Sequence, residues 1–364
     1  MKVKEIQQFL QQENIDVAFI TTPENVNYIT GFNSDPHERL LGVAVFKEAA
    51  PFIICPQMEV PDAKRASGWE DVVGHLDTQN AMDILADAIR ARVSDVKSIA
   101  IEKLHLNVAR YEQLQERFVK ASFPRLDDKL NYMRVIKSED ELVKLREAAK
   151  LADFAVQVGC DNIAEGKTEL DVLNAIETAV KNKGYDMSFS TMVLTGKNSA
   201  SPHGVPGHNK IQKGDFVLFD LGVLYEGYCS DITRTVSFGE PTDKQIEIYE
   251  TVLKANESAI AAVKPTVKAK DIDKVARDII TNAGFGDYFP HRLGHGLGIS
   301  VHEFPDISSV NEMALEENMV FTIEPGIYKG DVTGVRIEDD VVVTKDGVEV
   351  LTKFPKQLTI LPVK

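Results

Sequence analysis

The residues best suited to chemistry lie first in the stretch GDFVLFDLGVLYEGYCSDITRTVSFG, residues 214–239. Phe216–Phe219 and Ile232–Val236 are β-rich, and Tyr225-Glu226-Gly227 supplies a turn, so the pattern predicts a hairpin. Asp220 and Asp231 stand eleven positions apart. In a hairpin with a loop of two or four residues, an odd separation puts both side chains on one face. Both aspartates have apolar neighbours that should be buried. Two unpaired buried carboxylates repel and take up protons, whereas bridging divalent cations remove that repulsion. The competing assignment pairs Asp231 with Arg234 or lets it cap the turn.

The next stretch, HRLGHGLGISVHEFP, residues 291–305, supplies His291, His295 and His302 among glycines that let backbone and ligand approach closely. A neutral imidazole can ligate a metal or polarise a carbonyl, and spacing alone leaves open which of the three does which. The glycine spacing is wrong for a dinucleotide fingerprint, and no H-E-x-x-H is present. Two further carboxylates lie on strand-like segments, Glu324 in VFTIEPGIY and Glu338 in GVRIEDDVVV. Arg336, two residues before Glu338, shares its face and could pair with it or orient it. Four carboxylates and one imidazole come near charge balance with two divalent cations. The oxygen-rich set suits manganese first, then cobalt, with zinc or iron possible, and is too hard for copper(I).

Positioning such residues requires a framework, and the chain has length for about two domains at ~150 residues each. The front part alternates helix near 3–13, strands 17–20, 42–46 and 51–55, helix 81–93, strand 99–102 and helix 107–119, which predicts an α/β domain. Asp127–Lys137 reads as a linker or a strand leading into the second domain, and the boundary is placed near 130, giving domains 1–130 and 131–364. Ser138-Glu139-Asp140-Glu141 then fits a capping box opening a helix over 139–158. TELDVLNAIETAVKNKGY and KAKDIDKVARDIITNAGF repeat at a shift of 100, and a longer helix precedes each, the second opened by Thr242-Asp243-Lys244-Gln245. Both segments end at a glycine suited to a left-handed cap. This predicts two related α+β halves with a site between them.

Composition excludes several classes. Hydrophobic residues make up 43% and charged residues 27%, which is globular. With 56 acidic against 41 basic residues the net charge is −15, which disfavours nucleic acid and anionic membrane as partners. Cys55, Cys160 and Cys229 form no C-x-x-C pair, so neither a disulfide framework nor a cysteine zinc site is expected. No apolar run approaches ~18 residues, and MKVKEIQQFLQQENID lacks the apolar centre of a signal peptide, so the expected location is cytosolic.

Taken together, LFDLGVLYEGYCSDITRT, HRLGHGLGISVHE, TIEPGIY and GVRIEDD resemble the signature blocks of the pita-bread metallopeptidases, which include Xaa-Pro dipeptidase (prolidase), aminopeptidase P and methionine aminopeptidase. The front domain resembles the creatinase-type N-terminal domain. The resemblance implies an α/β N-terminal domain followed by an α+β pita-bread domain with two pseudo-symmetric halves. It implies that Asp220, Asp231, His295, Glu324 and Glu338 ligate two metal ions and that a bridging hydroxide attacks the substrate. Glu324 would shuttle the proton. His203, in ASPHG, and His302 match histidines contacting the carbonyl and the oxyanion, and His291 lines the same pocket.

Chain length and the front domain point to the dipeptidases acting on peptides that end in proline, with aminopeptidase P as the alternative. SDPHERLLG, residues 34–42, resembles a loop that those dipeptidases send toward a partner subunit, implying a homodimer and roles for His37 and Arg39. A dipeptidase must also grip a free carboxylate, for which Arg292, Arg336 and Arg39 are candidates. Where many relatives carry an arginine after HEFP or HEWP, this chain has Asp306.

Overall fold

A computed structural model describes residues 2–363. The chain divides into two units, one ending at Met133 and the other beginning at Arg134. In the first, a mixed five-stranded sheet runs in the order Val72–His75, Phe52–Pro56, Gly42–Phe46, Val17–Ile20, Ile99–Ile101. Its strands are buried along their length except at Val72–Gly74, because helices cover an apolar sheet that has no polar alternation. Phe19, Phe46, Phe52, Leu85 and Ile89 form the centre of this core.

Three elements here escape the sequence reading: helices Pro23–Thr30 and Val60–Ser67, and strand Val72–His75. Both helices have eight residues, carry a proline at the first or second position (Pro23 and Pro61) and close on a glycine at positive φ, Gly31 at 75° and Gly68 at 69°. That proline–glycine punctuation is itself a helix signal. A correction concerns Asp127–Lys137. Asp127–Val135 is a helix, with Leu126, Leu130 and Met133 buried at helical spacing. Only its tail behaves like a strand, through a single bridge from Ile136 to Met319.

The second unit opens on the Ser138 capping box, with Ser138 Oγ accepting from Glu141 N at 3.4 Å and Glu141 Oε2 accepting from Ser138 N at 2.8 Å. Two helix pairs follow: Glu139–Asn162 with Glu169–Asn182, and Asp243–Ala262 with Ala269–Asn282. The second members begin and end 100 positions apart (169 to 269, 182 to 282), and each is followed by a left-handed glycine, Gly184 at 87° and Gly284 at 83°. Each pair covers three antiparallel strands. These are Met192–Thr195, Phe216–Leu221 and Ile232–Phe238 in one half, and Gly294–Gly296, Val320–Ile323 and Asp339–Val343 in the other.

A buried guanidinium joins the halves. Arg234, 1% exposed, donates to Asp339 Oδ1 at 2.7 Å and to the Phe354 carbonyl at 2.8 Å, and Lys356 Nζ reaches Asp339 Oδ2 at 2.6 Å. Arg234 is therefore engaged with Asp339 and not with Asp231.

A second buried ion cluster fixes the start of this unit. Glu303 accepts from Arg134, from Ser300 N at 2.9 Å and from Lys137 Nζ at 3.5 Å. Burial alone would raise its carboxyl, but Lys137 and Arg134 outweigh burial and hold it below the ordinary value. A carboxyl depressed in the folded state stabilises above its unfolded pKa, and that contribution is lost as pH falls through the folded pKa. Glu303→Ala strands the Lys137 ammonium and should cost about 3–5 kcal/mol. Urea unfolding of chelated protein at pH 7 reads this loss, and the gap to the wild type should narrow below about pH 4.

Candidate functional site

The hairpin forms as the odd spacing requires. Tyr225 pairs with Tyr228 around Glu226 (φ 47°) and Gly227 (φ 80°), a two-residue turn with both central residues left-handed. The same register carries through to Asp220 opposite Thr233. Asp231 lies two residues before Thr233 and so projects from the face that bears Asp220. The other half repeats this placement. Glu324 directly follows strand Val320–Ile323, and Glu338 directly precedes Asp339–Val343. His295 sits on Gly294–Gly296, where Cβ atoms at the flanking glycines would collide with the Thr322 and Phe304 backbone.

All five side chains line one cavity of about 530 Å³ in the second unit, together with His203, His291, His302, Arg292 and Arg336. Ligand atoms of Asp231, His295 and Glu338 come within 4.8 Å of one another. His295 Nε2 lies 3.4 Å from Glu324 Oε1 and 3.7 Å from Asp231 Oδ2. These are not ion pairs, because burial, with help from His302, lowers the imidazole to about 3. His295 Nδ1 sits 3.1 Å from the Gly296 carbonyl, which can only accept, so Nδ1 carries the proton. Nε2 therefore presents a lone pair to two carboxylates.

The carboxylates are equally unsatisfied. Asp231 Oδ1 and Glu338 Oε1 are buried with no hydrogen-bond partner. Burial first, then the neighbouring acids, pushes Asp231 and Glu338 well above the carboxylate range. Glu324 is pushed up to about 7, chiefly by burial, with Arg336 opposing. Orphaned oxygens facing a lone pair are what a cation site looks like from its donors, and the hard, oxygen-rich set fits divalent ions.

Arg336 holds this group together, though not through Glu338 as the shared face predicts. Its guanidinium donates to Asp220, to Thr233 Oγ1 at 3.0 Å and to the Tyr328 hydroxyl at 2.8 Å. Thr233 in turn donates to Glu338 Oε2 at 2.7 Å. Tyr328 is also 2.9 Å from His291 Nε2. Thr233 and Tyr328 are missing from the sequence reading. Thr233 was detectable at period two from Asp231; Tyr328 needs the pairing of Gly326–Lys329 with Thr333–Arg336, which sequence does not reveal.

The other candidates separate cleanly. Arg292 is exposed at the cavity and, among the described residues, has no carboxylate partner. The His302 ring lies 4.0 Å from that of His295. His37 and Arg39 belong to the first unit, where they line a different cavity of about 510 Å³, and Arg39 Nε is paired with Asp77 at 2.8 Å. Asp306 caps its own turn through Ser308 and Asn311.

Known proteins share both units. Residues 143–345 match the model of Metallopeptidase family M24, and residues 2–136 match the Creatinase/Prolidase N-terminal domain. The chain belongs to metallopeptidase family M24. A Bacillus subtilis protein named "Putative dipeptidase YkvY" is 50% identical over 99% of both chains. The prolidase from Pyrococcus horikoshii OT3 superposes with a TM-score of 0.90 at 39% identity, covering 98% of this chain and 99% of its own. The Xaa-Pro dipeptidase from Bacillus anthracis reaches 0.92 at 34% identity over 99% of each chain. This family member is a peptidase with the two-domain architecture of the prolidases, and its family implies divalent metal ions.

Adding manganese(II) to chelated protein should raise its melting temperature, by about 2.7 kcal/mol of stability at a hundredfold excess over Kd. Asp231→Asn should abolish the response. Without metal, that variant should be at least as stable as the wild type, because it removes one of the mutually repelling acids.

Proposed function

We propose that this chain hydrolyses Xaa-Pro dipeptides, with two divalent cations held by Asp220, Asp231, His295, Glu324 and Glu338. The observation that carries the reading is the pair of orphaned oxygens, Asp231 Oδ1 and Glu338 Oε1, buried beside the lone pair of a neutral His295. The relatives named prolidase and Xaa-Pro dipeptidase, alike over both units, support the substrate class. When bound, the cations would supply Lewis acidity, lowering the pKa of water and polarising the scissile carbonyl. Manganese heads the order of preference, ahead of cobalt, zinc and iron, because most donors are carboxylate oxygens.

The chain's own groups do the rest. The Glu324 carboxylate takes the proton of the attacking water and passes it to the departing proline nitrogen. His203 and His302 donate to the oxygen that gains charge, and His291, braced by Tyr328, lines the same wall. Burial holds His291 at about 4, so it is neutral at pH 7, with Nδ1 donating to the Arg292 carbonyl and Nε2 facing the Tyr328 hydroxyl, and burial also lowers His302. Arg336 keeps its donors on Asp220, Thr233 and Tyr328, which leaves Arg292 as the cation available to a substrate carboxylate. Three free, buried cysteines suit the reducing cytosol, and a homodimer is the proposed assembly. Among the described residues no helix is long and apolar enough to cross a membrane.

Asp306, standing where many relatives have arginine, favours a second reading, removal of the N-terminal residue from longer Xaa-Pro peptides. Comparing an Xaa-Pro dipeptide with an Xaa-Pro tripeptide separates the two, and faster cleavage of the tripeptide would replace the dipeptidase assignment. Glu324→Gln should lower kcat by at least about a hundredfold. Arg292→Ala should raise KM for the dipeptide about tenfold or more and leave kcat nearly unchanged, since a charge-assisted hydrogen bond contributes ~1.5–3 kcal/mol. A dipeptide amide, lacking the carboxylate, should show no such change.

A further inference from the structure

His203 stands on a segment with little to hold it. Ser201, His203 and Val205 are exposed, and no apolar side chain of Ser201–Pro206 is buried. The segment is anchored at its roots, by Glu169. This carboxylate is fully buried on the second helix of the first half. Its Oε1 accepts from Thr195 N at 2.8 Å and Asn198 Nδ2 at 2.9 Å, where the segment begins. Its Oε2 accepts from Gly207 N at 2.8 Å and Asn209 Nδ2 at 3.1 Å, where the segment returns. One side chain thus closes both ends of the loop that carries His203.

The internal repeat shows that the fold by itself does not require this. In the other half the corresponding residue is Ala269, also fully buried. Backbone pairing is the same in both halves. Glu169 N and Leu170 N donate to Asn209 and Gly207, and Ala269 N and Lys270 N donate to Met313 and Asn311. The corresponding stretch of the other half, which bears His302, is held instead by strand Glu303–Ile307 pairing with Gly294–Gly296, so only the strandless loop that bears His203 adds the carboxylate. Glu169 has no ion-pair partner among the described residues, so its charge is balanced by the donors it gathers. We infer that Glu169 is a positioning residue for His203, holding the Ser201–Pro206 loop so that the imidazole stays at the mouth of the catalytic cavity.

The inference rests on the role given to His203 above. Glu169→Gln, close in shape, should lower kcat/KM at least about tenfold and speed amide hydrogen exchange over residues 196–209, while manganese binding to the chelated protein is unchanged. In a His203→Ala background the same substitution should cost less than about twofold, because the residue acts through the histidine. An equal loss in both backgrounds, unchanged exchange, or weakened metal binding would overturn the inference. Asn209→Ala removes one donor at an exposed root; it should give a smaller loss with the same dependence on His203, and serves if Glu169→Gln does not fold. If His203→Ala is impaired but Glu169→Gln and Asn209→Ala are not, this inference alone fails. If His203→Ala retains full activity, the histidine's role in the proposed reaction fails first and takes the inference with it.

Discussion

Buried acids crowded into one cavity dominate this structure. Asp231 and Glu338 are 4% and 2% exposed, each with an oxygen that nothing in the protein satisfies. An imidazole that burial keeps neutral turns its lone pair toward them. No arrangement of hydrogen bonds relieves an acceptor facing acceptors, so only cations, or protons taken up in their place, make the group tolerable. The donor set thereby stores unfavourable electrostatics that ligand binding releases.

That constraint explains how the rest of the second unit is built. Two halves, alike in their helix pairs and three-stranded ladders, each contribute an acid at the end of one strand and another at the start of the next. The meeting of the halves must therefore be rigid, and it is made with buried charge. Arg234, Asp339 and Lys356 form one tie, and Arg336 with Asp220, Thr233 and Tyr328 forms another beside the cavity. Such ties are demanding, since removing one partner leaves the other's charge uncompensated, but they tolerate only one register.

Cations around the cavity are divided by what they have left to offer. Arg336 is buried with its donors occupied, so it orients groups, whereas Arg292 is exposed with its guanidinium open to a ligand. The histidines divide similarly. His295 is sealed into a strand between glycines, His291 leans on Tyr328, and His203 depends on a loop closed from below by Glu169. Of these three, the exposed His203 is held through its loop and the carboxylate beneath it.

Much of this was legible in the residues themselves. Period-two spacing across a two-residue turn put Asp220 and Asp231 on one face. The shift of 100 marked the repeat, and the blocks around His295, Glu324 and Glu338 marked the family. What could not be read were partnerships made across the sheet. Arg336 and Glu338 share a face by local geometry, yet the guanidinium goes to Asp220, 116 residues earlier, and Glu338 is served by Thr233 instead. Glu169 looks like an ordinary acid in the first turn of a helix until folding brings both roots of a distant loop against it. Local spacing determines which way a side chain points, because the backbone periods are short and rigid. Which group it meets depends on how two sheets dock, and that only the tertiary structure decides.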